Sequence, residues 1–326
     1  MHALTDGFGR EFLYLRLSLT EVCNFRCQYC LPDGYHCEHE TPDLNLDEIR
    51  RIVSAFAALG LWKVRLTGGE PSVRRDLGEI MRTVAAIPGV RRLAMTTNGY
   101  RLRKDAAEWH AAGLNALNVS IDSLDPRLFA SLTGHDRLQD LLAGVDHALT
   151  LGFDSIKVNA VLLRGYNSDD LERFLAWIRP RNLSLRFIEL MQTGNNLEYF
   201  HKHHASADLL RAQLLTRGWT RRPREDGAGP AEVYTHPDYL GSIGLIAPYS
   251  PDFCAGCNRL RITAKGALNL CLFSEHGIDL RPLLQHDSQQ PELQAAIRAQ
   301  LAHKKASHYL PQGLTGGTRH FAAIGG

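Results

Sequence analysis

Six short β-like runs alternate with helical runs through the first two-thirds of the chain. They cover residues 12–19, 64–67, 92–97, 116–121, 156–163 and 184–190. Helical patterns lie between them. Ile49, Ile52, Val53, Phe56 and Leu59 form one apolar stripe, which Gly60 ends. Leu138, Leu141, Leu142, Val145 and Leu149 form a second, and Leu171, Phe174, Leu175 and Ile178 a third. Strand–helix units in series predict a parallel sheet covered by helices. Six units are too few to close an eight-fold barrel. The expectation is an α/β fold, a partial and splayed (β/α)6 barrel of the TIM type.

Near residue 205 the pattern changes. Residues 207–217 read as a helix, and 221–230, rich in charge, Gly and Pro, as an exposed loop. Residues 259–273 alternate around Lys265-Gly266, a hairpin signal. Residues 291–305 have the pattern of an amphipathic helix, and 313–326 are rich in Gly and small residues. The expected division is a barrel over 1–205 and a C-terminal α+β domain over 206–326. The 326 residues carry a formal net charge of only +2, so no bulk field favours nucleic acid or a membrane. No apolar run approaches the ~20 residues of a membrane span. The N-terminus lacks the regions of a signal peptide, and a cytoplasmic location is expected.

Seven cysteines are present, and six of them fall into two trios. Cys23, Cys27 and Cys30 follow the first strand with the spacing CxxxCxxC. Cys254 and Cys257 form CxxC, and Cys271 follows after thirteen residues. Grouped cysteines in an intracellular chain favour metal over disulfides. Three thiolates can grip a [4Fe–4S] cube and leave one iron open to a small molecule. A zinc site is the alternative for each trio, with a distant His as fourth ligand for the second. Cys37 fits neither spacing and reads as a spare thiol.

Polar residues punctuate the strand ends. Thr67-Gly68-Gly69-Glu70-Pro71 closes the second run, and its glycines let backbone approach a ligand. Thr96-Thr97-Asn98-Gly99 closes the third, and Ser120-Ile121-Asp122 the fourth. Lys157 lies on the fifth, and Met191 follows the sixth. Each has an ordinary reading as cap, turn, solvated charge or packing. Together they occupy the rim where barrel active sites form. Arg16 and Arg65 lie within strands, where a guanidinium needs a carboxylate or a bound anion. Arg259 and Arg261 alternate beside the second trio, so along a strand they share a face. Phe200–His204 holds His201, His203 and His204 and reads as a solvated loop.

The CxxxCxxC motif, with Tyr29 before its third cysteine, resembles the radical S-adenosylmethionine (SAM) enzymes. Joined to TGGEP, the C-terminal CxxCxRxR…C and the closing Gly325-Gly326, it resembles the GTP 3′,8-cyclases of molybdenum cofactor biosynthesis over essentially the whole chain. That resemblance implies two [4Fe–4S] clusters, one held by Cys23, Cys27 and Cys30 and one by Cys254, Cys257 and Cys271. It implies SAM at Tyr29, Gly69, Ser120 and Met191. It implies GTP at Arg16, Arg65, Thr96, Lys157, Arg259, Leu260 and Arg261. The implied reaction takes hydrogen from C3′ of GTP through a 5′-deoxyadenosyl radical, and C3′ then adds to C8 of the guanine. A one-electron reductant such as flavodoxin, hand-off to the cyclic pyranopterin monophosphate synthase and a homodimer go with it. Gly325 and Gly326 are expected to enter the barrel and position the reactants without ligating a cluster. The rival readings are another two-cluster radical SAM enzyme, such as a peptide maturase, and a non-catalytic zinc or iron–sulfur module.

Overall fold

The computed structural model describes residues 4–36, 41–225 and 227–325. Cys37 and Gly326 lie outside them. Six parallel strands follow in chain order: β1 (Tyr14–Ser18), β2 (Lys63–Thr67), β3 (Arg92–Thr97), β4 (Ala116–Ser120), β5 (Ser155–Leu162) and β6 (Ser184–Glu189). Helices α1 (Leu46–Ala58), α2 (Leu77–Ala85), α3 (Leu102–Ala111), α4 (Pro126–Thr133), α5 (Leu138–Leu149) and α6 (Leu171–Ile178) lie between them. The expected β/α series is therefore present, with strand ends displaced by a residue or two.

After α7 (Leu197–His203) and α8 (Ala207–Thr216) come β7 (Thr220–Arg221), β8 (Glu232–Thr235) and β9 (Ser242–Ile246). They are followed by β10 (Arg259–Ile262), β11 (Ala267–Asn269), β12 (Ile278–Asp279) and α9 (Gln290–Leu301). The C-terminal strands extend the barrel sheet at both edges: β9 pairs with β6, and β10 with β1, each in parallel. The predicted hairpin is β10–β11, antiparallel, with Arg261 opposite Asn269.

Period-two alternation sets up the site. On β1, Leu15 and Leu17 are fully buried towards the helices. Tyr14 and Arg16 alternate with them and point to the barrel interior. Lys63 and Arg65 on β2, Lys157 and Asn159 on β5, and Arg259 and Arg261 on β10 repeat the pattern. Register stacks these inward residues into layers: Arg261, Arg16 and Arg65 stand side by side across three strands, and Arg259, Tyr14 and Lys63 form the layer beside them. The outward residues meet helix stripes. In α1, Asn45 accepts the Glu48 amide at 2.9 Å while Glu48 accepts the Asn45 amide at 2.9 Å, a reciprocal cap. Ile49, Ile52, Val53 and Phe56 behind it are fully buried. Each such side chain contributes about 1.5–3 kcal/mol.

The His201–His204 stretch differs from its expectation. It closes α7 rather than forming a loop. Tyr199 and His203 approach to 4.4 Å between ring centres, and Phe200 and His204 to 4.7 Å. Aromatic residues four apart share one helix face, and here that face packs. Among the described residues no group of His, Cys, Asp or Glu is gathered to hold a single metal ion, and these histidines are no exception.

Candidate active site

The N-terminal trio sits on the loop after β1. The amides of Cys30 and Leu31 both bond the Cys27 carbonyl at 2.9 Å, a tight turn. Two strand ends clamp this loop. The Gly69 amide donates to the Thr20 carbonyl at 2.9 Å, and the Glu70 amide to that of Val22 at 2.8 Å. Only glycine fits here: a Cβ on Gly68 or Gly69 would collide with the backbone oxygen of Thr20 or Val22. The fully buried Glu70 carboxylate accepts from the Ser72 amide, the Thr97 hydroxyl and the Asn98 amide at 3.0, 2.8 and 2.6 Å. Asn98 then donates to Asn24 within the cysteine loop at 2.8 Å. The TGGEP and TTNG segments thus act as one support for the loop.

Buried carboxylates act on this trio, and Lys202 and Arg319 line the cavity that Cys30 borders. Burial pushes the Cys23 thiol up to about 11 and the Cys30 thiol up to about 12. Cys27 is raised well above its usual value by burial, then by Asp122 and the other two thiols. Tyr29 donates its hydroxyl to Asp122 at 2.9 Å. Burial lifts Asp122 to about 6 against bonds from Val161 and Tyr29.

The barrel interior is cationic. One cavity, about 1130 Å³ of empty space including its mouth, is lined by Arg16, Lys63, Arg65, Lys157, Arg186, Arg259 and Arg261. Its described lining contains no carboxylate. Burial, with Arg186, Arg65 and Lys63 adding to it, drives Lys157 down to about 6. Burial lowers Lys63 to about 8 despite the nearby Tyr14. Burial alone would raise the Tyr14 phenol, but Arg65, Arg16 and Lys63 outweigh it and bring it to about 7. Asn118 Oδ1, Asn159 Oδ1 and Arg186 Nε line the same space, buried and without hydrogen-bond partners. Packed cations and orphaned polar atoms are costly without a ligand. The same lining also holds Phe253, Leu272, Phe273 and His308 with Cys254 and Cys271, and Arg259 lies over the Phe253 ring at 5.9 Å.

The second trio borders this cavity through Cys254 and Cys271. The Cys257 amide donates to the Cys254 carbonyl at 3.1 Å. Burial raises the Cys254 thiol, and Cys271 and Cys257 add to that, so the three thiols face one another. Cys257 differs: Arg259 and Lys304 outweigh its burial and bring it to about 7.

The chain's end reaches the same interior. The Gly325 carbonyl accepts from Arg16 Nε and Nη2 at 3.0 and 2.7 Å and from Arg261 Nη1 at 2.7 Å. A Cβ on Gly325 would collide with Thr67, so the approach requires glycine.

Of the residues read from sequence, Arg16, Arg65, Thr96, Lys157, Met191, Arg259, Arg261, Cys254 and Cys271 line this one cavity. Leu260 does not. It alternates with its two arginines and is fully buried against the core. Gly69, Ser120, Cys23, Cys27 and Cys257 stand outside the lining, and Tyr29 and Cys30 border a neighbouring cavity. Tyr14, Lys63, Asn118, Asn159, Arg186 and His308 were missed. The first five follow from extending strand alternation to every inward position. His308 carries no such signal.

Comparison with known proteins finds two family matches. Residues 17–178 match the radical SAM superfamily, and residues 183–310 match the Molybdenum Cofactor Synthesis C family. A GTP 3′,8-cyclase of Stenotrophomonas maltophilia is 59% identical over 326 residues, covering 100% of both chains. The chain belongs to the GTP 3′,8-cyclase family. A relative of that name from Aeromonas hydrophila is 56% identical, over 100% of this chain and 97% of the relative. One from Yersinia pestis is 55% identical over 100% of both. Among solved structures, Streptococcus suis SuiB bound to S-adenosylmethionine superposes with a TM-score of 0.62 at 15% identity. It covers 88% of this chain and 68% of SuiB, a likeness of fold alone.

Family membership implies SAM and an iron–sulfur cluster, and the donor sets fit iron–sulfur. Each trio offers thiols alone, without the His or carboxylate ligands common in catalytic zinc sites.

Proposed function

We infer that this chain is a GTP 3′,8-cyclase, converting GTP to (8S)-3′,8-cyclo-7,8-dihydroguanosine 5′-triphosphate in the first step of molybdenum cofactor biosynthesis. The observation that carries the reading is the cavity's described lining, which joins seven cations and no carboxylate to aromatic side chains and two cysteines of the second trio. A triphosphate matches the cations, since guanidinium forks pair with phosphate oxygens. A purine matches the aromatic side chains.

Cys23, Cys27 and Cys30 would hold a cluster that, with SAM, would supply the radical chemistry for hydrogen abstraction from C3′. The protein's part is to bind and orient. Lys63, Arg65, Lys157, Arg186, Arg16, Arg259 and Arg261 hold the triphosphate nucleotide, so that its C3′ and C8 meet. Thr96 lies beside Arg65, whose Nη1 donates to its hydroxyl at 3.2 Å. Gly69 carries a turn whose carbonyls suit the methionine ammonium of SAM. Tyr29, Ser120 and Met191 complete that site. Cys254, Cys257 and Cys271 hold a second cluster that anchors the base. The backbone of Leu260 keeps Arg259 and Arg261 facing it. The Gly325 carbonyl lies on Arg16 and Arg261, and the Gly325–Gly326 tail helps to place the reactants.

The family reading also supplies the partners we propose: a one-electron reductant of the flavodoxin class, hand-off to the cyclic pyranopterin monophosphate synthase, and a homodimeric, cytoplasmic enzyme. Among the described residues no helix is long and apolar enough to cross a membrane.

The test is anaerobic incubation of reconstituted protein with GTP, SAM and a reductant, followed by mass and NMR identification of the nucleotide. The expected product is isomeric with GTP and carries a C3′–C8 bond. SAM cleavage with GTP recovered unchanged, or deuterium transfer from a position other than C3′, would overturn the reading.

A further inference from the structure

A second large cavity lies at the end of the barrel where its strands begin. It holds about 1770 Å³ of empty space including its mouth. Lys63, Arg92, Ser184 and Ser242 line it, and each is the first residue of its strand, β2, β3, β6 and β9. The N-terminal trio, Gly69 and Asn98 follow the opposite ends of β1, β2 and β3. Lys63, Lys157, Arg186, Gly229, Pro230 and Phe253 line this cavity and the main one alike, so the two share a wall.

The chain around β7 and β8 builds the outer part. The two strands pair antiparallel, and the Arg222 amide donates to the Val233 carbonyl at 2.8 Å. Arg224 Nη2 donates to the Gly256 carbonyl, between Cys254 and Cys257, at 2.8 Å. Arg92, Arg221, Arg222 and Arg224 join the three shared cations in the lining, against the carboxylates Glu225, Glu232 and Asp252. Glu232 is already engaged: it accepts from Arg211 Nε at 3.1 Å and the Tyr234 hydroxyl at 3.0 Å, and pairs with Arg221 at 3.4 Å. The bonds of Arg224 go to backbone carbonyls, which leave its charge in place. Arg92 stands 3.9 Å from the exposed Asp154, a weak pairing.

The whole chain carries a formal net charge of only +2, so this excess of cations is local. A cleft lined by one sign focuses the field and speeds the arrival of the opposite charge. Resting on the GTP reading above, we propose that the second cavity is the nucleotide's entrance, where a triphosphate lands on Arg92 and Arg222 and passes the shared wall into the main cavity. Lys63, Lys157 and Arg186 receive its phosphates there. SAM arrives separately, at the end of the barrel that carries the N-terminal trio. Arg92 and Arg222 do not line the main cavity, so they act on arrival and not on the bound nucleotide.

The test is rapid-mixing filtration of anaerobically reconstituted full-length protein with radiolabelled GTP and, separately, SAM, at low and high salt. Arg92→Glu combined with Arg222→Glu lowers the GTP association rate by about tenfold at low ionic strength. The difference nearly vanishes at about 0.5 M salt. GTP dissociation, turnover at saturating GTP and SAM association stay as in the unmodified protein. Glu225→Lys combined with Asp252→Lys does the reverse and quickens GTP association. Both acids are exposed, so this second pair decides the matter if the first variant does not fold. An unchanged GTP association rate in the folded variants overturns the proposal. Faster GTP dissociation with association unchanged overturns it in favour of a role in holding the bound nucleotide. Equal slowing of SAM overturns it in favour of a field spread over the whole molecule. Failure of the unmodified protein to bind GTP sinks the function reading, and this inference with it.

Discussion

The two cysteine trios have the same number of thiols and different surroundings. Burial raises the thiols of the first trio, where Glu70 and Asp122 act on Cys23 and Cys27 and where Lys202 and Arg319 line the cavity that Cys30 borders. In the second, Arg259 and Lys304 draw Cys257 down to about 7 against its burial. An iron–sulfur cluster bound by three thiolates is an anion, and reduction adds one more charge. Carboxylates beside it oppose that charge, and cations favour it. We propose that the two trios differ accordingly: the first would suit a cluster that reduces SAM, and the second one that stands beside a polyanionic nucleotide.

Removing one trio at a time tests this contrast most severely. Cys27→Ala should abolish SAM cleavage while iron at the C-terminal trio remains. Cys257→Ala should leave some uncoupled cleavage and no cyclised GTP. Either variant, folded but wholly free of iron, would break the two-site account.

The next effect concerns the cations between the sites. Arg261 is 6% exposed and bonds the Gly325 carbonyl at 2.7 Å. Arg261→Ala should weaken GTP binding by about a hundredfold, the cost of removing a buried charge from a matched anion. Arg259→Ala should cost about tenfold, with added salt reproducing part of the loss. Iron content should stay constant in both. Deleting Gly325 and Gly326 should spare iron and GTP binding while cyclised product falls steeply. Unchanged turnover would remove the tail from the account.

A smaller effect follows from the titrating groups. Without nucleotide, Lys157 titrates near 6, Tyr14 near 7 and Lys63 near 8. A bound triphosphate favours their protonated forms and so raises each value. Affinity should therefore be greatest below about pH 6 and decline several-fold as pH rises towards 8. Lys157→Met should flatten the lower part of that profile, read by dialysis at constant ionic strength. A rise in affinity with pH would show that the cavity's cations do not face the phosphates.

Much of this was legible in the sequence because strand alternation carries both fold and site. In β1, the same period that buries Leu15 and Leu17 turns Arg16 inward. What local pattern does not carry is pairing between distant segments. β9 contains Gly244 and is short, and it is defined as part of the barrel by its pairing with β6. His308 likewise gains its place from Phe253 and Phe273, far away in the chain. The stretch near residue 203 was read as a solvated loop because charge and polarity dominate it; His201 and Lys202 are exposed, but ring contacts four residues apart accompany a helix there.

One measurement bears on the central claim directly: electron paramagnetic resonance of the reduced protein, recorded on Cys27→Ala and Cys257→Ala with GTP or SAM added separately. The contrast between the trios predicts that GTP alters the signal when only the C-terminal trio is loaded. SAM should alter it when only the N-terminal trio is loaded. GTP perturbing the N-terminal signal and leaving the C-terminal signal unchanged would contradict the account.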